Sequence, residues 1–301
     1  MRRQSVATWA LVKFFKETLA DMSLSAMSIN SFKSMFDLSG QVALVAGGYG
    51  GIGEAISWGL AIQGATVAIS GRSIERATRL VNQLKEVGYH THSFSFDMGK
   101  VDDIRRHVDE VVDTLGSIDI LVNCVGTQRE ERAEQVTEAA WDAVSDMNLK
   151  GAFFLAQAAG RYQIKKGSGR QIHISSVRSL LALRGRGYAA YCATKGGLNL
   201  LVKQLAAEWA PYGILVNGIA PTFIRTELVR GYLEDEAFYN SLVERIPLGR
   251  IGDPVDVAGV ALFLASPASA FMTGQILFLD GGITATQLFP ILSLCRYINR
   301  G

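Results

Sequence analysis

At 301 residues, the chain is long enough for one large α/β domain with a sizeable buried core. Charged residues make up 19% of the chain, and 30 basic against 28 acidic side chains leave a net charge of only +2. This balance argues against a nucleic acid or a membrane surface as a partner. No apolar run reaches the ~18 residues of a spanning helix, and the three cysteines show no CxxC or histidine at ligand spacing. We therefore expect a cytoplasmic protein with no metal site.

Short β-branched runs alternate with longer helical stretches from about Leu38 to Gly282. Predicted strands cover 41–46, 65–70, 90–96, 118–123, 170–175, 214–220 and 275–280, and predicted helices cover 51–63, 73–87, 101–115, 138–166, 191–210 and 254–265. Alternation of this kind implies right-handed βαβ crossovers and a parallel sheet covered on both faces. We predict an α/β fold, a single doubly wound Rossmann-type domain with a parallel sheet of about seven strands.

The two ends of the chain fall outside this pattern. Residues 1–34 form an N-terminal extension, for which three interpretations stay open: a disordered arm, a presequence-like segment for organelle import, or a start assigned too early. Residues 35–287 hold the predicted domain. Residues 288–301 form an apolar tail that either packs on a neighbouring subunit or has no role.

A glycine-rich stretch, "VALVAGGYGGIGEAI" (42–56), follows the first predicted strand and opens the first helix. Glycines at such a place allow a tight turn and let backbone N–H groups approach a pyrophosphate, while the helix N-terminus supplies partial positive charge. A Gly-rich stretch alone is weak evidence, but in this context it predicts dinucleotide binding.

The end of the second strand favours one dinucleotide over another. An acidic side chain there usually holds a free ribose 2′-OH, whereas a 2′-phosphate needs a cation. In "VAISGRSIER" (67–76) the acid is replaced by Gly71, and Arg72 follows. We therefore predict NADP(H), with NAD(H) as the alternative if Arg72 is only a solvated residue at the helix start.

Two tyrosines stand in "YAAYCATK" (188–195), and only Tyr191 has a lysine, Lys195, four residues further on. Positions i and i+4 of a helix face the same way, so Lys195 lies one turn beyond Tyr191. A phenol has an ordinary pKa near ~10, and a nearby ammonium lowers it. The pair predicts a tyrosine that relays a proton.

With these segments in place, the chain resembles the short-chain dehydrogenases/reductases over about residues 36–287. The resemblance rests on "AGGYGGIG" (46–53), "FDM" (96–98), "NCVG" (123–126), "MNLKGAFF" (147–154), "HISS" (173–176), "YCATK" (191–195) and "VNGIAPTFIRTEL" (216–228). It implies the catalytic residues Asn148, Ser176, Tyr191 and Lys195. It also implies that the cofactor is bound by Gly47, Tyr49, Gly51, Ile52, Gly53, Arg72, Asp97, Met98, Asn123, Gly126, Tyr191, Lys195, Pro221, Ile224 and Thr226.

The resemblance also implies roles for the catalytic residues. Ser176 hydrogen-bonds the substrate oxygen, Tyr191 donates or accepts the proton, Lys195 lowers the Tyr191 pKa and holds the nicotinamide ribose, and Asn148 positions a water. Ser179 is a competing serine, since Ser176 lies fifteen positions before Tyr191, a little further than the family leads us to expect. Ser176 is favoured because it lies at a strand end. Thr222 replaces a glycine that commonly follows the proline, and we expect this change to affect the lip of the site.

Loops at 127–133, 177–188 and 222–250 are expected to select the substrate. Among their residues, Arg129, Arg178 and Tyr188 are predicted to line the substrate site, where arginines suit hydroxyls and a carboxylate.

The sequences of several motifs are similar to those of gluconate 5-dehydrogenases and 2-deoxygluconate 3-dehydrogenases. We therefore expect a small-molecule substrate, a sugar acid or polyol. A 3-oxoacyl-[acyl-carrier-protein] reductase is the alternative, and a non-enzymatic NADP-binding scaffold is the remote one. The resemblance to the short-chain dehydrogenases/reductases also implies a homotetramer or homodimer.

Overall fold

The central feature of the protein is a parallel β-sheet. A computed structural model describes residues 34–286, so the predictions for residues before Ser34 and for the tail at 288–301 lie outside the described residues. The strands are β1 (Val42–Ala46), β2 (Thr66–Gly71), β3 (Thr91–Ser95), β4 (Ile120–Asn123), β5 (Gly169–Ile174), β6 (Ile214–Pro221) and β7 (Ile276–Leu279). All seven pair in parallel, in the order β3-β2-β1-β4-β5-β6-β7. The predicted fold class is confirmed.

Helices cover both faces of the sheet. They are α1 (Gly51–Ile62), α2 (Ile74–Glu86), α3 (Val101–Leu115), α4 (Glu138–Ser145), α5 (Gly151–Lys166), α6 (Ala189–Trp209), α7 (Arg230–Leu233), α8 (Glu236–Glu244) and α9 (Pro254–Ala265). Alternate β1 residues point to opposite sides: Val45 packs with α1, α2 and α9, and Leu44 packs with α3, α5 and α6. Burial on both faces explains why the strands read as continuous β-branched runs.

The sheet reverses its winding direction between β1 and β4, where β2 lies on one side and β5 on the other. In doubly wound folds, ligands bind outside the carboxyl ends of the strands at this switch point. The glycine turn after β1, the loop after β4 and Ser176 after β5 all lie at this end of the sheet. The fold therefore brings together segments that are far apart in the sequence.

Two segments differ from the predicted elements. The predicted helix 138–166 is interrupted by a π-helical turn at Asp146–Lys150, between α4 and α5. Within 222–250, which reads as a loop in the sequence, the chain forms α7 and α8, and the Asp235 side chain caps α8 by accepting from the Phe238 N–H. Within residues 34–286, no helix is both long and apolar enough to cross a membrane.

Candidate active site

The glycine turn between β1 and α1 is tightly constrained. The N–H groups of Gly47 and Gly48 donate to the Ser70 carbonyl at the end of β2, at 2.7 and 3.2 Å, and Gly47 has a positive φ of 75°. A Cβ on Gly53 would collide with the Gly47 carbonyl oxygen, and one on Gly51 would collide with the Thr226 side chain. The start of α1 therefore packs directly under the turn, which requires glycine at these positions.

Tyr49 occupies the space beside the end of β2. Its hydroxyl accepts from the Ser73 N–H at 2.8 Å, and its ring lies so close to Gly71 that a Cβ there would be 2.7 Å from the ring. The guanidinium of Arg76 stacks over the same ring at 4.9 Å, and Arg72 is exposed beside it. A carboxylate at position 71 has no room here, and two cations, Arg72 and Arg76, lie at the start of α2.

Three more predicted cofactor residues lie at or just beyond the carboxyl ends of β3 and β4. Asp97 accepts from the Gly99 N–H at 3.0 Å, and its own N–H donates to Asp103 at 2.7 Å. Met98 is buried and packs in the core. Asn123 is also buried, and its Oδ1 accepts from the Val125 N–H at 3.1 Å.

A cavity opens where the loops after β4, β5 and β6 meet the start of α6. Its lining includes three of the predicted catalytic residues and seven of the predicted cofactor residues. The lining residues are Ile52, Cys124, Gly126, Thr127, Gln128, Ile174, Ser175, Ser176, Val177, Arg178, Tyr188, Tyr191, Lys195, Pro221, Thr222, Phe223, Ile224, Thr226 and Val229.

Tyr191 and Ser176 lie together in this cavity. The Ser176 side chain hydrogen-bonds the Tyr191 hydroxyl, and its Oγ accepts from the Arg178 N–H at 3.1 Å. Burial raises the pKa of Tyr191, while the hydrogen bond from Ser176 and the charge of Arg178 lower it. Ser179 lies outside the lining, where its Oγ donates to the Ser176 carbonyl at 2.5 Å and accepts from Asn199 at 2.7 Å. The structure thus places Ser176, and not Ser179, beside the tyrosine.

Lys195 is buried, with 4% of its surface exposed. Its Nζ donates to the Ile174 carbonyl oxygen at 2.9 Å and lies 5.7 Å from the centre of the Tyr191 ring. Burial lowers the Lys195 pKa to about 8. The ammonium is directed toward the end of β5 rather than to the phenol oxygen, so the groups that lower the Tyr191 pKa in this structure are Ser176 and Arg178.

Asn148 lies in the π-helical turn and is buried. Its Oδ1 accepts from the Thr127 N–H at 2.8 Å, and its Nδ2 donates to the Thr127 carbonyl at 2.8 Å and to Thr194 Oγ1 at 3.3 Å. A Cβ on Gly126 would lie 3.5 Å from Lys195 Nζ and 3.6 Å from Asn148 Oδ1. Asn148 therefore fixes the loop after β4 against α6, beside the ammonium. π-helical turns are frequent at functional sites.

The loops that border the cavity are linked to each other. The Glu131 N–H donates to the Gly187 carbonyl at 3.0 Å, and Glu130 forms an ion pair with Arg186 at 2.7 Å. Because the chain turns outward after Gln128 to reach this contact, Arg129 is exposed and does not line the cavity. Arg178 and Tyr188 do line the cavity, and the substrate role of Arg129 stays a prediction.

Some lining residues were not predicted from the sequence. Phe223 and Val229 follow β6 and line the cavity, and Cys124, which follows β4, lines it as well. Burial raises the pKa of the Cys124 thiol to about 12. The signal that could have identified Phe223 and Val229 is their position just beyond the carboxyl end of a strand next to the switch point.

The site fits a dinucleotide. A glycine turn that no side chain could fill lies at the N-terminus of α1, where the helix dipole favours a pyrophosphate. A tyrosine, a serine and a buried lysine lie around one cavity at the switch point, which is the arrangement that the resemblance to the short-chain dehydrogenases/reductases implies for an oxidoreductase with a nicotinamide dinucleotide.

A family model described as enoyl-(acyl carrier protein) reductase matches residues 46–284. Gluconate 5-dehydrogenase of Gluconobacter oxydans (strain 621H) is 38% identical over 85% of this chain and 99% of that protein. The 3-oxoacyl-[acyl-carrier-protein] reductase of Aquifex aeolicus (strain VF5) is 37% identical over 82% of this chain and 98% of that protein. The chain belongs to the short-chain dehydrogenase/reductase family.

Solved structures also support membership of this family. The crystal structure of a gluconate 5-dehydrogenase from Burkholderia cenocepacia J2315, in complex with NADP and tartrate, superposes with a TM-score of 0.81. That protein is 40% identical, and the match covers 84% of this chain and 99% of the other. The expected family is thus confirmed, together with the function class that its relatives share.

Proposed function

We propose that the protein interconverts a secondary alcohol and a ketone with NADP(H), on a sugar acid or polyol, as a gluconate 5-dehydrogenase-like enzyme. The observation that carries the proposal is the meeting of Tyr191, Ser176 and Lys195 in one cavity at the switch point of the sheet. The glycine turn lies at the same end of the sheet and supplies the phosphate cradle.

Each catalytic residue has a proposed role. The dinucleotide supplies or takes up the hydride when it is bound. Tyr191 donates a proton to the substrate oxygen during reduction and accepts it during oxidation. Ser176 donates a hydrogen bond to the same oxygen as charge develops there, an interaction that is strongest in the transition state. Lys195 holds the nicotinamide ribose, and Asn148 keeps the loop after β4 in place beside it.

The proposed cofactor is NADP(H). The turn after β1 would bind the pyrophosphate, and Arg72 would pair with the 2′-phosphate. Because the Tyr49 ring fills the space at Gly71, an acidic residue that selects the free 2′-OH of NAD(H) does not fit there. The remaining predicted contacts, from Asp97 to Thr226, follow the strand ends along which the dinucleotide would lie.

The substrate class rests on the comparisons and on the charge of the cavity. Arg178 gives the lining a buried cation, which suits a sugar acid. The related Burkholderia enzyme was crystallised with tartrate, a hydroxy acid. A 3-oxoacyl thioester is the second candidate, favoured by the Aquifex reductase and by the description of the family model. A non-enzymatic scaffold is the least favoured candidate, because all four expected catalytic residues are present.

We further propose a cytoplasmic homotetramer or homodimer, assembled through α4, α5 and α6. Leu200 on α6 is 69% exposed, and a subunit interface would bury this apolar side chain. Light scattering coupled to gel filtration measures the assembly state. A monomer at all concentrations would contradict this part of the proposal.

The function is tested by steady-state kinetics with 5-keto-D-gluconate and acetoacetyl-CoA, each with NADPH and with NADH. We expect NADPH oxidation with 5-keto-D-gluconate and a higher kcat/KM with NADPH than with NADH. Turnover of the thioester alone would establish the second candidate. Turnover of neither, in a protein that still binds NADPH, would favour the scaffold.

A further inference from the structure

Arg178 is the one arginine in the cavity lining, and it is only 6% exposed. A buried charge is costly unless it is paired with an opposite charge or with hydrogen-bond partners. Its Nη1 donates to the carbonyl oxygens of Leu181 and Ala182 at 3.2 and 3.0 Å. Its Nε and Nη2 donate to no residue that the structure describes. Only Nη1 of the guanidinium is thus held by the described part of the protein, and Nε and Nη2 are available to a ligand.

No carboxylate compensates this charge within residues 34–286, because none of their ion pairs includes Arg178. Burial lowers the Arg178 pKa most, the neighbouring Cys192 raises it, and the charge of another cation, Arg245, lowers it. Nearly every other arginine near the site has an acidic partner or is exposed to solvent: Arg186 pairs with Glu130, and Arg184 is exposed. The cavity lining therefore contains a buried cation that no carboxylate of the described residues neutralises.

The position of Arg178 relates this group to the reaction. It lies two residues after Ser176, and its N–H donates to Ser176 Oγ. Its charge also acts on Tyr188 and Tyr191, whose ring centres are 6.1 Å apart in the same lining. An anion on the guanidinium would therefore share the cavity with the oxygen that reacts at Tyr191.

We propose that Arg178 recognises the carboxylate of an acyclic hydroxy acid and so selects acids over neutral polyols at this site. The inference rests on the proposed function, since it assigns the charge selectivity of that reaction to one residue. A carboxylate matches the planar donor pair of a guanidinium and neutralises its charge. A 3-oxoacyl thioester has no charge at its reacting end and would leave Arg178 uncompensated.

A competing interpretation is that Arg178 only fastens the loop at 180–182 through its two carbonyl contacts. A fastening role would affect all substrates alike. Selection of a carboxylate would affect acids more than neutral compounds. The ratio of two kcat/KM values therefore separates the two interpretations, and it also cancels any change in the Tyr191 pKa.

The test compares oxidation of D-gluconate and D-sorbitol by NADP⁺, because these compounds differ only in a carboxylate against a CH₂OH group at C1. For Arg178→Met, we expect the gluconate-to-sorbitol ratio of kcat/KM to fall by about 10- to 100-fold, as for loss of a hydrogen bond to a charged group. Arg178→Lys keeps the charge without the planar donors and should be intermediate. The control is Arg184→Met, which removes an exposed charge from the same loop and should leave the ratio unchanged.

A binding measurement covers the case in which turnover is low. Calorimetry of the NADPH complex with D-gluconate and with tartrate should show weaker binding by Arg178→Met than by wild type. An equal loss on gluconate and sorbitol, or unchanged gluconate binding by Arg178→Met, overturns the inference and leaves the proposed function intact. Wild-type turnover of sorbitol without gluconate also overturns it. Wild-type protein that oxidises neither compound, yet loses anion binding with Arg178→Met, contradicts the proposed function and supports the inference.

Discussion

The buried ammonium of Lys195 should destabilise the folded enzyme, and replacing it with methionine should make the fold more stable. Burial lowers the Lys195 pKa from 10.5 to about 8. At about 1.4 kcal/mol for each tenfold change in a proton equilibrium, this lowering is a cost of roughly 3 kcal/mol at neutral pH. Lys195→Met removes the cost but leaves the Ile174 carbonyl without its partner, which costs about 1–2 kcal/mol. We expect a net gain in the free energy of unfolding of about 1–2 kcal/mol at pH 7.

The sign of the effect depends on pH. Between the folded pKa of about 8 and the ordinary value of 10.5, the unfolded chain binds more protons at Lys195 than the folded chain does. The contribution of this lysine to the free energy of unfolding therefore rises with pH across that interval, and the penalty is fully present below it. The advantage of Lys195→Met should shrink from pH 8 upward and reverse near pH 10, where only the lost hydrogen bond remains.

Urea unfolding without cofactor, at one protein concentration, at pH 7 and at pH 10, measures the difference between variant and wild type. Lys203→Met is the matched control, since Lys203 is exposed on the same helix, and it should show no difference that changes with pH. The reasoning is refuted if Lys195→Met is less stable than wild type at pH 7, or if its difference from wild type is the same at both pH values. The variant should lose activity in either case, which makes it an example of stability given up for function.

Two further substitutions test the site. Ser176→Ala should lower kcat by roughly 100- to 1,000-fold, as loss of a hydrogen-bond donor to the reacting oxygen does. Ser179→Ala should keep kcat and lower the free energy of unfolding by about 1 kcal/mol. Comparable losses of kcat in both variants would contradict the assignment of Ser176 as the catalytic serine. Arg72→Glu should raise KM for NADPH far more than KM for NADH in steady-state assays, because a carboxylate repels the 2′-phosphate; an unchanged NADPH preference would show that Arg72 is a solvated residue.

Much of the fold was predictable because its pattern is strong. Each of the seven strands was predicted to within two residues, since parallel strands buried on both faces give continuous apolar runs. The π-helical turn at Asp146–Lys150 was missed because it is a single-turn irregularity between two helices, too short to be recognised against the helical pattern on either side. Helix α8 was missed although Asp235 and Glu236 form a recognisable helix start.

The candidate site, like the fold, was predictable from the sequence only in part. The backbone topology decides that Ser176 and Tyr191 meet, and their positions at a strand end and a helix start could be identified from the sequence. Side-chain directions in loops are set by contacts with other loops, so the sequence could not distinguish exposed Arg129 from buried Arg178. The i, i+4 spacing predicted that Lys195 faces Tyr191, but the direction of its Nζ is set by the Ile174 carbonyl.

The most direct test of the account is Tyr191→Phe, which removes one hydroxyl and keeps the ring. Fluorescence titration should show NADPH binding close to that of wild type, while oxidation of D-gluconate by NADP⁺ should fall by roughly 100- to 10,000-fold, the usual contribution of a positioned proton donor. Turnover within about tenfold of wild type, at unchanged NADPH affinity, would contradict the proposal that Tyr191 moves the proton in this reaction.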